Sequence, residues 1–130
     1  GRMEWCNQNA LRFFGRVAFD DTYNGLALDD TEGRRIASQL NGHDVMFMAS
    51  HGVTVVGRSV AWAFDDLYYL ERACMHQVLA VQAAGGRALR RVPDALCAAT
   101  AAQIAGERQQ SDLFLASVKR MLDRDEPGWR

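Results

Sequence analysis

The longest coherent pattern in the chain runs from Ser59 to Gly86, "SVAWAFDDLYYLERACMHQVLAVQAAGG". Val60, Ala63, Phe64, Leu67, Leu70, Cys74, Val78 and Val81 recur there at spacings of about three and four. That is the period of one apolar helix face. Ser59 is a suitable N-cap and Gly85-Gly86 a suitable stop. The pattern predicts a helix over 59–84, roughly 35–40 Å long at 1.5 Å per residue. Asp65, Asp66, Tyr69, Arg72 and His76 fall toward its other side. A rod of this length exceeds what one small sheet needs to cover. It is expected to pack on something this chain does not fully supply.

Just before it lies "VMFMASHGVTVVG", Val45 to Gly57. Two short apolar runs flank a tight Ser-His-Gly, which predicts a hairpin of antiparallel strands 45–49 and 53–57 with His51 at the turn. Upstream, "RVAFDD" reads as a short strand and Asn24-Gly25 as a turn. "DDTEGRRIASQLNG" reads as a helix capped by Asp30 or Thr31 and ended by Asn41-Gly42, with Ile36, Ala37 and Leu40 as its stripe. After the long helix, one helix starts near Asp94 and stops at Gly106. A last one turns Leu113, Phe114, Val118, Met121 and Leu122 inward and ends at Pro127. The order of strand, helix, hairpin and three helices gives an α+β fold, layered α/β/α, with helices laid on an antiparallel sheet.

At 130 residues the chain holds one domain, spanning 1–130, and no repeat or linker divides it. "GRMEW" at its start reads as a cloning remnant or an internal start, covering residues 1–6. A net charge of −1 gives no field for a nucleic-acid or membrane partner. No apolar run approaches the ~18 residues of a membrane span, and no signal-peptide pattern opens the chain. Cys6, Cys74 and Cys97 are odd in number and widely spaced, which argues for reduced thiols and a cytoplasmic protein.

The residues alone offer little chemistry. No nucleophile elbow, phosphate loop or dinucleotide fingerprint is present. His43, His51 and His76 form no HxH, HExxH or HxxxH, whereas a catalytic zinc needs about three protein ligands. His43 reads as a solvated loop residue and His76 as a surface residue. His51 is either a turn residue satisfied by nearby backbone or a contact to metal or substrate. The pairs Asp20-Asp21, Asp29-Asp30 and Asp65-Asp66 read as structural; the last lies near a helix N-terminus, where negative charge is favourable.

One series does match a known pattern. His51-Gly52, Gly57-Arg58, Ala63-Phe64 and Leu70-Glu71 resemble, in order and spacing, the hairpin and long helix of the class II aldolase/adducin family. "NALRFFGRVAFDDTYNG" and "LDRDEPGWR" are similar to its bacterial members. Ser50 departs from the Asn or Gln that the family places before this histidine.

The resemblance implies a metal-dependent lyase that cleaves a C–C bond in a sugar-phosphate-like small molecule. His51 would be one ligand to a divalent cation, with zinc first, that polarises the substrate carbonyl. The family's HxH, acid/base glutamate and phosphate-binding segments have no counterpart here. The chain is therefore expected to be the C-terminal portion of the domain, with an incomplete class II aldolase/adducin-like fold. Alone it would have no catalytic residues and no cofactor, and it would associate as a homo-oligomer or with the missing N-terminal half. The alternative is a non-catalytic, adducin-like oligomerisation module.

Overall fold

The computed structural model describes residues 2–129. Asn7 caps a single short turn, α1 (Gln8–Leu11), by accepting a hydrogen bond from the Ala10 amide. The chain then enters β1 (Val17–Asp20), crosses through helix α2 (Asp30–Leu40) and returns as β2 (Val45–Met48). Because a helix carries the chain back, β2 starts at the same end as β1. The two strands pair in parallel, Val17 opposite Val45 and Asp20 opposite Met48. The sheet is therefore mixed, correcting the all-antiparallel expectation, while the α+β class stands.

The hairpin forms where its two apolar runs placed it. β2 pairs antiparallel with β3 (Gly52–Val55), Val45 opposite Val55 and Met48 opposite Gly52. Ser50 adopts a left-handed φ of 56° in the turn, and the His51 amide donates to the Met48 carbonyl. Strand order is β1-β2-β3. One face of this sheet, with Val45, Phe47, Val53 and Val55, packs on Phe13 and Leu70. The other face carries Ala18, Met46 and Asp20 toward α2, giving the expected layers.

α2 is capped by Asp29, one residue before the expected cap, because the Asp29 carboxylate accepts from the Thr31 amide. Asn41 and Gly42 end it with positive φ. None of its residues is fully buried, so the expected stripe of Ile36, Ala37 and Leu40 is a half-covered edge with Ala37 exposed.

Helix α3 (Val60–Ala84) has the expected length, cap and stop: Ser59 Oγ accepts from the Trp62 amide and Gly85 is left-handed. Its orientation is different. The buried residues are Ala61, Asp65, Asp66, Leu70 and Ala73, while Val60 is 77 % exposed and Val78 is 56 % exposed. The two aspartates point inward because arginines from α1, its exit and the α5 entry meet them there. Small Ala61 and Ala73 let the neighbouring elements approach.

α4 (Asp94–Ala105) and α5 (Gln109–Asp125) complete the fold. Phe114 of α5 stacks near Phe64 and Tyr68 of α3, at 5.4 and 5.0 Å between ring centroids. Val118 and Leu122 are half-buried, but Leu113 and Met121 are exposed, against expectation. The opening segment, whatever its origin, is part of this packing. Met3 and Trp5 lie on the core, the Glu4 amide donates to Gln77 Oε1, and the Val92 amide donates to the Trp5 carbonyl.

Candidate functional site

The two ends of the sheet carry the polar chemistry. At the carboxyl ends of the parallel pair β1 and β2, the β2–β3 turn holds His51 exposed beside a cleft of about 140 Å³. Ligands of open α/β sheets favour this end of parallel strands. Asp20, the last residue of β1, and Glu32 and Arg35 of α2 line the cleft with Tyr23, Leu26, Ile36 and Met48.

The charges in this cleft are already paired. Arg35 Nη1 and Nη2 donate to the two Asp20 oxygens at 3.0 and 2.7 Å. Arg35 Nε and Nη2 donate to Glu32 at 2.7–3.0 Å. The Thr22 amide adds a bond to Asp20, and Asn24 Nδ2 adds one to Glu32. Hydrogen bonds from Arg35 hold both carboxyls below the usual carboxylate range, and the two carboxylates raise the arginine. Both acids are ionised acceptors at neutral pH, not proton donors poised for transfer.

At the opposite end, Asp65 and Asp66 sit inside a cluster of arginines. Asp66 accepts from Arg12 at 2.9 Å, from Arg16 at 2.6 Å and from Arg108 through two bonds at 2.9 and 3.0 Å. Asp65 takes Arg12 at 2.6 Å and the Ser111 hydroxyl at 2.8 Å. Arg16 also forks onto Asp44. Burial pushes the Asp66 carboxyl up, but the bonds from Arg108 and Arg16 outweigh it and hold it low. Burial likewise depresses Arg16, and its bonds to Asp44 and Asp66 more than offset this. The cluster ties α1, the strand entries, α3 and the start of α5 to one carboxylate.

His51, the sequence-based metal candidate, is thus separated from the other histidines' settings. His43 lies half-buried after α2, and the exposed His76 has its Nδ1 3.4 Å from Asn9 Nδ2. Among the described residues no three His, Cys, Asp or Glu side chains are grouped to hold a metal ion. Asp20 and Glu32, the acids that line the cleft with His51, are both engaged by Arg35. Among the described residues the donors present do not complete a divalent-metal site.

Sequence reasoning found the turn and missed both charge clusters. The Glu32–Arg35 pair was detectable, since positions three apart share a helix face. The Asp66 cluster had no local signal: its arginines lie 42 to 54 residues away in the chain.

Among the described residues no helix is long and apolar enough to cross a membrane. The chain is similar to proteins already characterised by family. A class 2 aldolase-family protein of Pseudomonas aeruginosa is 31 % identical over 113 residues, covering 83 % of this chain and 43 % of that protein. A 4-hydroxy-3-prenylphenylpyruvate oxygenase/4-hydroxy-3-prenylbenzoate synthase of Streptomyces roseochromogenus is 40 % identical over 82 residues, covering 61 % of this chain and 28 % of that protein. The crystal structure of an aldolase II superfamily protein from Pseudomonas syringae superposes with a TM-score of 0.81 at 32 % identity, covering 95 % of this chain and 49 % of that one. The chain thus spans at most about half the length of these relatives. The family model described as "Class II Aldolase and Adducin N-terminal domain" matches residues 1–78. With the hairpin, the long helix and the superposition in agreement, the chain belongs to the class II aldolase/adducin family.

Proposed function

We propose that this chain supplies one wall of the active site of a metal-dependent lyase of the aldolase type, with His51 as its single metal ligand. The observation that carries the reading is the placement of His51: an exposed imidazole on a tight turn, beside a cleft, at the carboxyl ends of the parallel strands. Zinc is the first candidate cation, because imidazole suits it. The remaining ligands must come from polypeptide outside these 130 residues, and the C–C cleavage of a sugar-phosphate-like substrate belongs to the completed site. A cytoplasmic setting suits the three unpaired cysteines.

The test is reconstitution. The chain is joined to the portion of the Pseudomonas aeruginosa relative that it does not span, and bound zinc is measured after dialysis. Stoichiometric zinc in the joined protein, lost in His51→Ala, is the expected result. Zinc held by the isolated chain, or retained in the joined His51→Ala variant, overturns the assignment.

A second reading, a non-catalytic adducin-like oligomerisation module, draws on a different observation. Leu67, Met75, Val78 and Leu79 of α3 are exposed by 40–56 %. Exposed apolar side chains gathered along one helix are the kind of surface that association covers. Under either reading the partner is a second copy or the rest of the domain, and Phe64, Leu67 and Val78 are covered in the assembly; Leu70 is already covered within the chain. Light scattering at low micromolar concentration checks this, and a folded 14.5 kDa monomer refutes self-association.

A further inference from the structure

The cleft beside His51 is selective by charge. Among the described residues its one lining arginine or lysine is Arg35, and Arg35 is spent: every N–H except one on Nη1 is directed at Asp20 or Glu32. Two carboxylates against one guanidinium leave these three side chains with one negative charge in excess in the chain without metal. Asp20 is 4 % exposed and bound by Arg35 and Thr22, so it is a fixed part of the fold. Glu32 is the adjustable member. It sits in the first turn of α2, faces the cleft, and occupies the side of the guanidinium that would otherwise meet an incoming phosphate or carboxylate. A bidentate arginine fork is the usual receptor for such groups. Here that fork is filled from within.

The rest of the wall is mixed: Thr22, Ser50 and His51 stand beside apolar side chains. Leu26, Ile36 and Met48 line the cleft and Tyr23 stands half-exposed at its rim.

We infer that Glu32 is a specificity-determining residue that excludes anions from the His51 cleft. The part of a substrate lying against Arg35 and Glu32 carries no phosphate or carboxylate; any phosphate it carries is held elsewhere. Its relevance to catalysis rests on the lyase reading above, but its physical content does not.

The test uses phenol and phenyl phosphate, which share a ring and differ in charge, in amide NMR titrations of the full chain without metal. Phenol is expected to shift the Ala27, Ala49 and His51 amides, with phenyl phosphate at least tenfold weaker. In Glu32→Gln, which removes the excess charge and releases one side of Arg35, phenyl phosphate should tighten at least fivefold while phenol changes less than twofold. Phenyl phosphate binding the unaltered chain as well as phenol overturns the inference. So does a Glu32→Gln variant with unchanged selectivity, or a cleft whose amides respond to neither compound. The unaltered chain alone suffices for the first comparison, so a poorly folding variant leaves the inference exposed to refutation. Because no metal is added, this outcome is independent of the zinc reconstitution.

Discussion

At one end of the sheet a single guanidinium serves two carboxylates; at the other, three guanidiniums converge on one, Asp66, and two of them also hold Asp65 and Asp44. Arg35 bridges Asp20 and Glu32 at the rim of an open cleft, whereas Asp66 gathers Arg12, Arg16 and Arg108 with its side chain 1 % exposed. The two arrangements use the same chemistry for different ends. The rim group shapes what can approach His51, and in it Arg35 and Glu32 keep partial contact with water while Asp20 is buried. The buried cluster holds five parts of the chain together, and losing Asp66 takes from Arg108 its carboxylate partner there and from Arg12 and Arg16 one of the two carboxylates each holds. Removing one member of a buried ionic network is far more costly than the network's net worth.

The comparison is broken most directly at Asp66. Asp66→Ala should destabilise the chain by about 3–5 kcal/mol, read as a lower midpoint in urea, while His51→Ala on the exposed turn should leave the midpoint unchanged. Equal effects would remove the distinction between the two ends. The pH dependence has a fixed sign. The Asp66 and Asp20 carboxyls are both held low in the folded chain. Their stabilisation is therefore complete above the ordinary carboxylate pKa of about 3.9 and is lost as pH falls through their lower folded values. Acid unfolding monitored by circular dichroism should shift upward in midpoint pH in Asp20→Asn, because that contribution disappears.

The orientation of α3 sharpens the same contrast. Leu70→Ala should cost about 2–5 kcal/mol as a buried truncation, whereas Val78→Ala, at an exposed position, should cost no more than about 0.5 kcal/mol. Comparable costs in thermal melts would restore the face expected from periodicity. Smallest is the cap: Ser59→Ala should lower stability by about 1 kcal/mol through the lost bond to the Trp62 amide, without altering the response of the His51 cleft to phenol.

Local chemistry made much of the fold legible. The two apolar runs around Ser-His-Gly set the hairpin to within two residues, and Ser59 and Gly85-Gly86 bounded α3 correctly because caps and left-handed stops act over a few residues. What failed was long-range. Counting apolar positions placed Asp65 and Asp66 outside, since an acid in an apolar pattern ordinarily faces water. Arg12 and Arg108, distant in the chain, reversed that preference by offering ion pairs inside. β1 and β2 were likewise recognisable as strands, but their parallel pairing depended on how α2 returns the chain.

The candidate site divides in the same way. The hairpin sequence determined that His51 would stand at a turn, because a tight connection between two apolar strands exposes its middle residues. Whether that imidazole would meet other ligands was a question of which strand ends lie side by side, and the tertiary structure set Asp20, Glu32 and Arg35 beside it as a closed ionic group. Periodicity and capping depend on neighbours a few residues apart, so the sequence alone determined the elements. The charge of the cleft, the buried Asp66 cluster and the exposed side of α3 depend on residues brought together from across the chain, and only the tertiary structure decided them.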